Sequence, residues 1–143
     1  MDEEYHALLQ NGTWVLSVLP LGRKLVGCKW VYKLKLDANG KVARFKARLV
    51  AQGFTQKPGV DFKETFAPVA RLTSIRMVLH IAALEDWELD QMDVKNAYLN
   101  GILEEEIYMA QPEGYKVPGQ EDKVLRLKKG LYGLKQAGRL HVE

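Results

Sequence analysis

A second cysteine is missing from this chain, so Cys28 can make neither an internal disulfide nor a zinc site. Set between Gly27 and Lys29, it reads as a core residue. No apolar run approaches membrane-spanning length. The N-terminal MDEEYHALLQ is acidic and polar, which excludes a signal peptide. These absences predict a cytoplasmic or nuclear setting without a membrane and argue against secretion. Acid is also scarce where base is dense. From Arg23 to Lys57 the chain carries Arg23, Lys24, Lys29, Lys33, Lys35, Lys41, Arg44, Lys46, Arg48 and Lys57, with Asp37 as the sole acid. The remainder is net acidic, and the total comes to only +3. Such a block points to a polyanion partner; the alternative is a solvated face.

What is present fits one domain. A chain of 143 residues can bury a real core, and 47% hydrophobic with 27% charged residues is ordinary for a soluble globular protein. Residues 1–10 read as a helix with Tyr5, Leu8 and Leu9 on one side. Residues 14–19 read as a strand, ended by Pro20 and Gly22.

The clearest hairpin joins residues 25–36 to residues 41–52 through Asn39-Gly40, a two-residue turn pair in which both positions take positive φ. Pairing outward sets Lys35 opposite Arg44 and Lys33 opposite Lys46. The other face receives Leu36 with Ala43, Leu34 with Phe45, Tyr32 with Ala47 and Trp30 with Leu49. One face is therefore apolar and the other basic. Like charges directly opposite each other oppose pairing by roughly 0.2–1 kcal/mol. An anionic ligand across the face would turn that repulsion into binding; the alternative is long side chains splaying into water.

Gly53, Pro58-Gly59 and Pro68 make residues 53–71 a loop region. Residues 73–85 read as a helix capped by Thr73 or Ser74, with Ile75, Val78, Leu79, Ala82 and Ala83 as its apolar stripe. His80 has no neighbour at metal spacing and reads as a packed or surface histidine. Residues 87–94 read as a strand, then residues 103–109 and 124–127. Glu104, Glu105 and Glu106 follow a turn and face solvent, which argues against a metal role for them.

The stretch QMDVKNAYLNG, residues 91–101, carries the chemistry. Apolar alternation runs into Asp93 at a strand end, followed by Ala97, Tyr98 and the turn signal Asn100-Gly101. A buried carboxylate is costly unless something cationic meets it; the alternative is that Asp93 caps the following turn. DVKNAYLNG resembles the first catalytic motif of Ty1/copia-type retrotransposon reverse transcriptases. NGTWVLSVLP, GCKWVYKLK, KARLVAQGFTQKPGVDFKETFAPVAR, EEEIYMAQPEGY and LYGLKQA occur in the order that family uses, so the resemblance covers nearly the whole chain.

The resemblance implies an α+β fold, an incomplete polymerase fingers and palm with an antiparallel hairpin and packed helices. Residues 1–72 would be fingers-like and residues 73–143 palm-like. It implies that Asp93 is catalytic and binds Mg²⁺ or Mn²⁺, that Tyr98 gates the sugar and that the backbone at Val94 lies near the triphosphate. Lys33, Lys35, Lys46 and Arg48 would grip nucleotide and template, with Gly133, Lys135 and Gln136 against the template. The partners implied are an RNA/DNA primer-template, deoxynucleoside triphosphates and the rest of a Pol polyprotein. The FAPV stretch, residues 66–69, is a family signature for which packing between fingers and palm is the modest reading.

Two departures stand out. Gly138 and His141 occupy positions where the family usually has proline and then an aromatic. The family's later Y/F-x-D-D motif, which supplies most of the metal-binding carboxylates, does not occur here, nor does a thumb, an RNase H region or an integrase motif. Two-metal phosphoryl transfer needs several carboxylates, so the chain is expected to be inactive alone. Met1 precedes a segment that the family carries inside a longer polyprotein, which suggests a reading frame starting part-way through an ancestral sequence. The alternatives are a non-catalytic nucleic-acid-binding module and an unselected retrotransposon remnant.

Overall fold

The computed structural model describes residues 1–92, 99 and 101–140. Its elements are α1 (Asp2–Gln10), β1 (Trp14–Ser17), β2 (Leu25–Val26), β3 (Cys28–Leu36), β4 (Val42–Ala51), α2 (Leu72–Leu84), β5 (Tyr108–Met109), β6 (Val124–Leu127) and α3 (Ala137–Leu140). The mixture is α+β, as expected. A four-stranded sheet runs β1-β6-β5-β2, and β3 with β4 makes a separate two-stranded ribbon. No helix among the described residues is long and apolar enough to cross a membrane.

The core sits where α1, the four-stranded sheet and the base of the ribbon meet. Leu8, Trp14, Leu49, Met109, Leu127 and Leu131 belong to one buried cluster. Helix α1 ends by donating Thr13 N–H to Leu8 O and Gly12 N–H to Leu9 O, a Schellman closure. The same turn buries Thr13, whose hydroxyl donates to Leu8 O at 2.8 Å. β1 can then pair antiparallel with β6, Trp14 opposite Leu127 and Leu16 opposite Leu125. Leu8 is buried as expected, whereas Leu9 is exposed.

Several expectations are corrected. The strand over residues 25–36 breaks at Gly27. A Cβ there would lie 2.2 Å from Gln52 Oε1, and Gly27 O accepts Gln52 N–H at 2.8 Å. β2 instead pairs parallel with β5. Only Tyr108–Met109 of the expected strand 103–109 is regular. The acidic run turns aside there, and Glu106 meets Arg23 at 3.1 Å and Arg126 at 2.9 Å.

The hairpin loop also differs. Asp37 N–H donates to Lys41 O, Gly40 N–H donates to Asp37 O, and Asp37 Oδ1 accepts the N–H groups of Asn39 and Lys41. Residues 38–40 thus form a three-residue loop in which Gly40 (φ +76) takes the left-handed position. The Asp37 carboxylate, an acceptor for two backbone donors, favours this loop over the two-residue turn. The resulting irregularity sets Leu36 opposite Val42 instead of Ala43.

Helix α2 forms, but Arg71 precedes it with no side-chain cap, so neither Thr73 nor Ser74 serves. Of its stripe only Ala82 is buried; Ile75, Val78 and Leu79 are exposed, so the expected packed helix is not docked. Residues 87–92 form no strand, and Trp87, Leu89 and Met92 are exposed. Alternation marks a face to bury, but a strand also needs a hydrogen-bonded neighbour, and none pairs with 87–92 among the described residues. In the FAPV stretch Phe66 and Val69 are exposed. Cys28 packs against the core and its thiol is pushed up to about 11 by burial.

Candidate nucleic-acid interface

The ribbon's register is the one its alternation predicts over most of its length. Lys33 lies opposite Lys46, Lys35 opposite Arg44 and Val31 opposite Arg48. Strand periodicity puts these side chains on one face and Trp30, Tyr32, Leu34, Phe45 and Leu49 on the other. At the base Leu49 is fully buried, but toward the loop the apolar face is open, with Phe45 78% exposed. The outer half of the ribbon therefore stands in solvent on both faces.

Among the described residues no ion pair neutralises the basic side chains of the ribbon. The ion pairs among the described residues join Arg23 and Arg126 to Glu106 and Arg139 to Glu64. One acidic group does approach. The Glu4 carboxyl is half-buried beside β4; burial raises its pKa, partly offset by the Leu49 N–H and by the charges of Lys46 and Arg48. A groove of about 200 Å³ separates the first turn of α1, with Met1, Glu3 and Glu4, from Arg44 and Lys46. An aromatic stack holds that turn in place: Tyr5 lies 4.3 Å from Tyr115, whose ring is 5.4 Å from Trp30. The Tyr115 hydroxyl donates to Asp2, and that bond lowers the Asp2 carboxyl and pushes the phenol up to about 12.

The second predicted group, Gly133, Lys135 and Gln136, belongs to a loop of residues 129–137 that meets the ribbon at its base. Tyr132 O accepts the outward N–H of Ala51 at 2.7 Å. Gly133 has φ +90, and a Cβ there would sit 2.1 Å from Ala51 O and 2.7 Å from Val50 Cγ1. Gly53 approaches from the other side, where a Cβ would lie 2.1 Å from Gly133 O. Only two residues without side chains allow this passage. Beside it the Arg48 guanidinium lies over the Tyr132 ring, 4.9 Å from its centroid.

A hydrogen-bonded cluster fixes the far end of the same loop. Gln56 Oε1 accepts Lys135 N–H at 2.8 Å, while Gln56 Nε2 donates to Gln136 Oε1 at 3.1 Å. Gln136 Nε2 donates to Asp61 O at 2.9 Å and Glu105 Oε2 at 3.3 Å. Gln136 is only 2% exposed, so its amide is spent inside the protein. Gly133 and Lys135 are exposed. Lys33, Lys35, Lys46 and Arg48 thus lie on the ribbon and Gly133 against its base, while Lys135 sits at the far end of the loop beside Gln56 and Gln136 supports that end from behind.

Asp93, Val94, Tyr98 and His141 lie outside the described residues. Among the described residues no three His, Cys, Asp or Glu side chains come together to hold a metal ion. Sequence reasoning missed Glu4, Gly53, Gln56, Asp61 and Tyr132. Four of them lie within motifs that the resemblance marks, but none had a role assigned, because each acts through a partner distant in the chain.

The chain matches the family described as reverse transcriptase (RNA-dependent DNA polymerase) over residues 11–143. It is 55% identical over 139 residues to the retrovirus-related Pol polyprotein from transposon TNT 1-94 of Nicotiana tabacum, covering 97% of this chain and 10% of that protein. It is 46% and 45% identical, each over 140 residues, to the Pol polyproteins from transposons RE2 and RE1 of Arabidopsis thaliana, with the same coverage. The chain therefore spans about a tenth of the length of these curated relatives. No solved structure matches it.

Proposed function

The chain belongs to the reverse transcriptase family, and from that membership we propose that it forms the fingers and first half of the palm of a Ty1/copia-type polymerase. Residues 1–72 are the fingers part and residues 73–143 the palm part. The basic face of the β3–β4 ribbon grips the phosphates of an RNA/DNA primer-template and of the incoming deoxynucleoside triphosphate. Nucleotidyl transfer belongs to the intact polyprotein, with Asp93 holding Mg²⁺ or Mn²⁺, Tyr98 gating the sugar and Val94 near the triphosphate.

One observation carries this reading. Two groups far apart in the chain, the basic ribbon and the 129–137 loop, meet at the base of the ribbon, with Arg48 over Tyr132 and Ala51 bonded to Tyr132. Folding alone offers no reason to set Lys33 against Lys46 and Lys35 against Arg44. Phosphates lying along that face supply one, because each neutralised contact releases counterions.

The test is a salt titration of binding to a labelled RNA–DNA primer-template, with Lys33, Lys35, Lys46 and Arg48 changed together to Gln. The wild-type log K should fall steeply with log salt. The variant should lose roughly 0.7–0.9 of slope per phosphate contact removed. A slope indifferent to the four substitutions refutes the ribbon as the interface.

A further inference from the structure

We propose that Tyr132 is the positioning residue for Arg48, and that this pair makes Arg48 the preorganised phosphate-binding group of the ribbon. The inference rests on the nucleic-acid reading above and deepens it by separating one basic side chain from the others.

Lys33 and Lys35 stand on the outer ribbon, exposed and free of ion pairs among the described residues. A lysine there must give up most of its rotamer freedom to hold a phosphate. Arg48 is placed differently. It is part-buried, and its guanidinium lies 4.9 Å from the centre of the Tyr132 ring. The backbone that carries that ring is fixed, because Tyr132 O holds Ala51 N–H at 2.7 Å and the next residue, Gly133, is wedged against Ala51 and Val50.

Stacking occupies the face of a guanidinium and leaves its edge N–H donors in plane for a bidentate phosphate. Glu4 is the acidic group near Arg48 and Lys46, and burial raises its pKa. The phosphate belongs either to the nucleic-acid backbone or to a nucleoside triphosphate, and the two are separated by using both as probes.

The experiment measures binding of a fluorescein-labelled RNA–DNA primer-template and of a fluorescent deoxynucleoside triphosphate to the full chain and to Tyr132→Leu, Tyr132→Phe, Arg48→Gln and the Tyr132→Leu/Arg48→Gln pair. Tyr132→Leu should weaken the relevant probe about fivefold, and Tyr132→Phe, which keeps the ring, less than twofold. In the Arg48→Gln background Tyr132→Leu should change nothing further. Equal weakening in both backgrounds makes Tyr132 merely structural and overturns the proposal. Binding by the wild type that Tyr132→Leu leaves unchanged overturns it while sparing the ribbon interface. No binding of either probe by the wild type removes both readings. A measurement on the wild-type chain guards against a variant that fails to fold. The Arg48 Nε–H in ¹⁵N relaxation should be as ordered as the backbone, and a freely mobile Nε–H overturns the proposal.

Discussion

Three glycines separate two kinds of steric cost, and one of them carries both. Gly40 has positive φ and nothing within 4 Å of where a Cβ would stand. Gly53 has an ordinary φ, but a Cβ there would lie 2.1 Å from Gly133 O and 2.8 Å from Gln56 Oε1. Gly133 has φ +90 and a Cβ position 2.1 Å from Ala51 O. Placing alanine in the left-handed region costs roughly 1–2 kcal/mol, which is the whole expected loss for Gly40→Ala. Overpacking against backbone that cannot move aside costs roughly 1–3 kcal/mol, the expectation for Gly53→Ala. Gly133→Ala combines them, roughly 2–5 kcal/mol, against a total stability typically about 5–15 kcal/mol. Urea melts followed by tryptophan fluorescence read the difference. With a slope of about 2 kcal/mol/M, a loss of 3 kcal/mol moves the midpoint by about 1.5 M. The order should be Gly40→Ala mildest and Gly133→Ala most severe. If Gly133→Ala proves no worse than Gly40→Ala, the loop is not wedged against β4 and the joint is wrongly described.

The Gln56–Gln136 pair should behave as a unit. Either residue changed to Ala should cost roughly 1–3 kcal/mol in the same melts by stranding its partner, and the double variant should cost clearly less than the two combined; simple additivity would dissolve the cluster. Cys28, whose thiol is pushed up to about 11 from 9.0 by burial, should be slow toward iodoacetamide. At pH 8 its thiolate fraction should be about a hundredfold below that of the unfolded chain, so alkylation at the unfolded rate is the contrary result. The sign for stability follows: this thiol's contribution is complete below pH 9 and is lost as pH rises toward 11.

Local pattern revealed the pieces better than their assembly. The register from Cys28 to Lys35 was legible because alternation and a turn signal constrain both strands at once. The loop shape was not, because the Asp37 side chain, not the Asn39-Gly40 dipeptide, decides it. The 3.6-residue period of α2 revealed a helix but said nothing of what would cover it. The trio Trp87, Leu89 and Met92 imitated a strand whose pairing partner is not among the described residues. For the site, charge density pointed to the ribbon, and the resemblance pointed to the 129–137 loop. That Gly53 and Gly133 let the two touch is a fact of close approach between distant segments, which no period or spacing encodes. Gln136 shows the reverse: its motif marked it as a contact, yet its amide is satisfied inside the fold.

The ribbon is built like a lever. Its root, at Trp30 and Leu49, is seated in the core, and residues 30–36 carry it outward by about 20 Å at the usual rise of a strand. A load applied near the loop between β3 and β4 acts on the root with the mechanical advantage of that length. Along the outer edge of β4 the root is restrained by Tyr132 O at Ala51, and a groove lined by Glu4, Arg44 and Lys46 separates it from the first turn of α1. A small swing of the tip is therefore felt as torque at that bond. That bond leads to the loop that carries Gly133 and Lys135, and the same swing changes the width of the groove beside the first turn of α1.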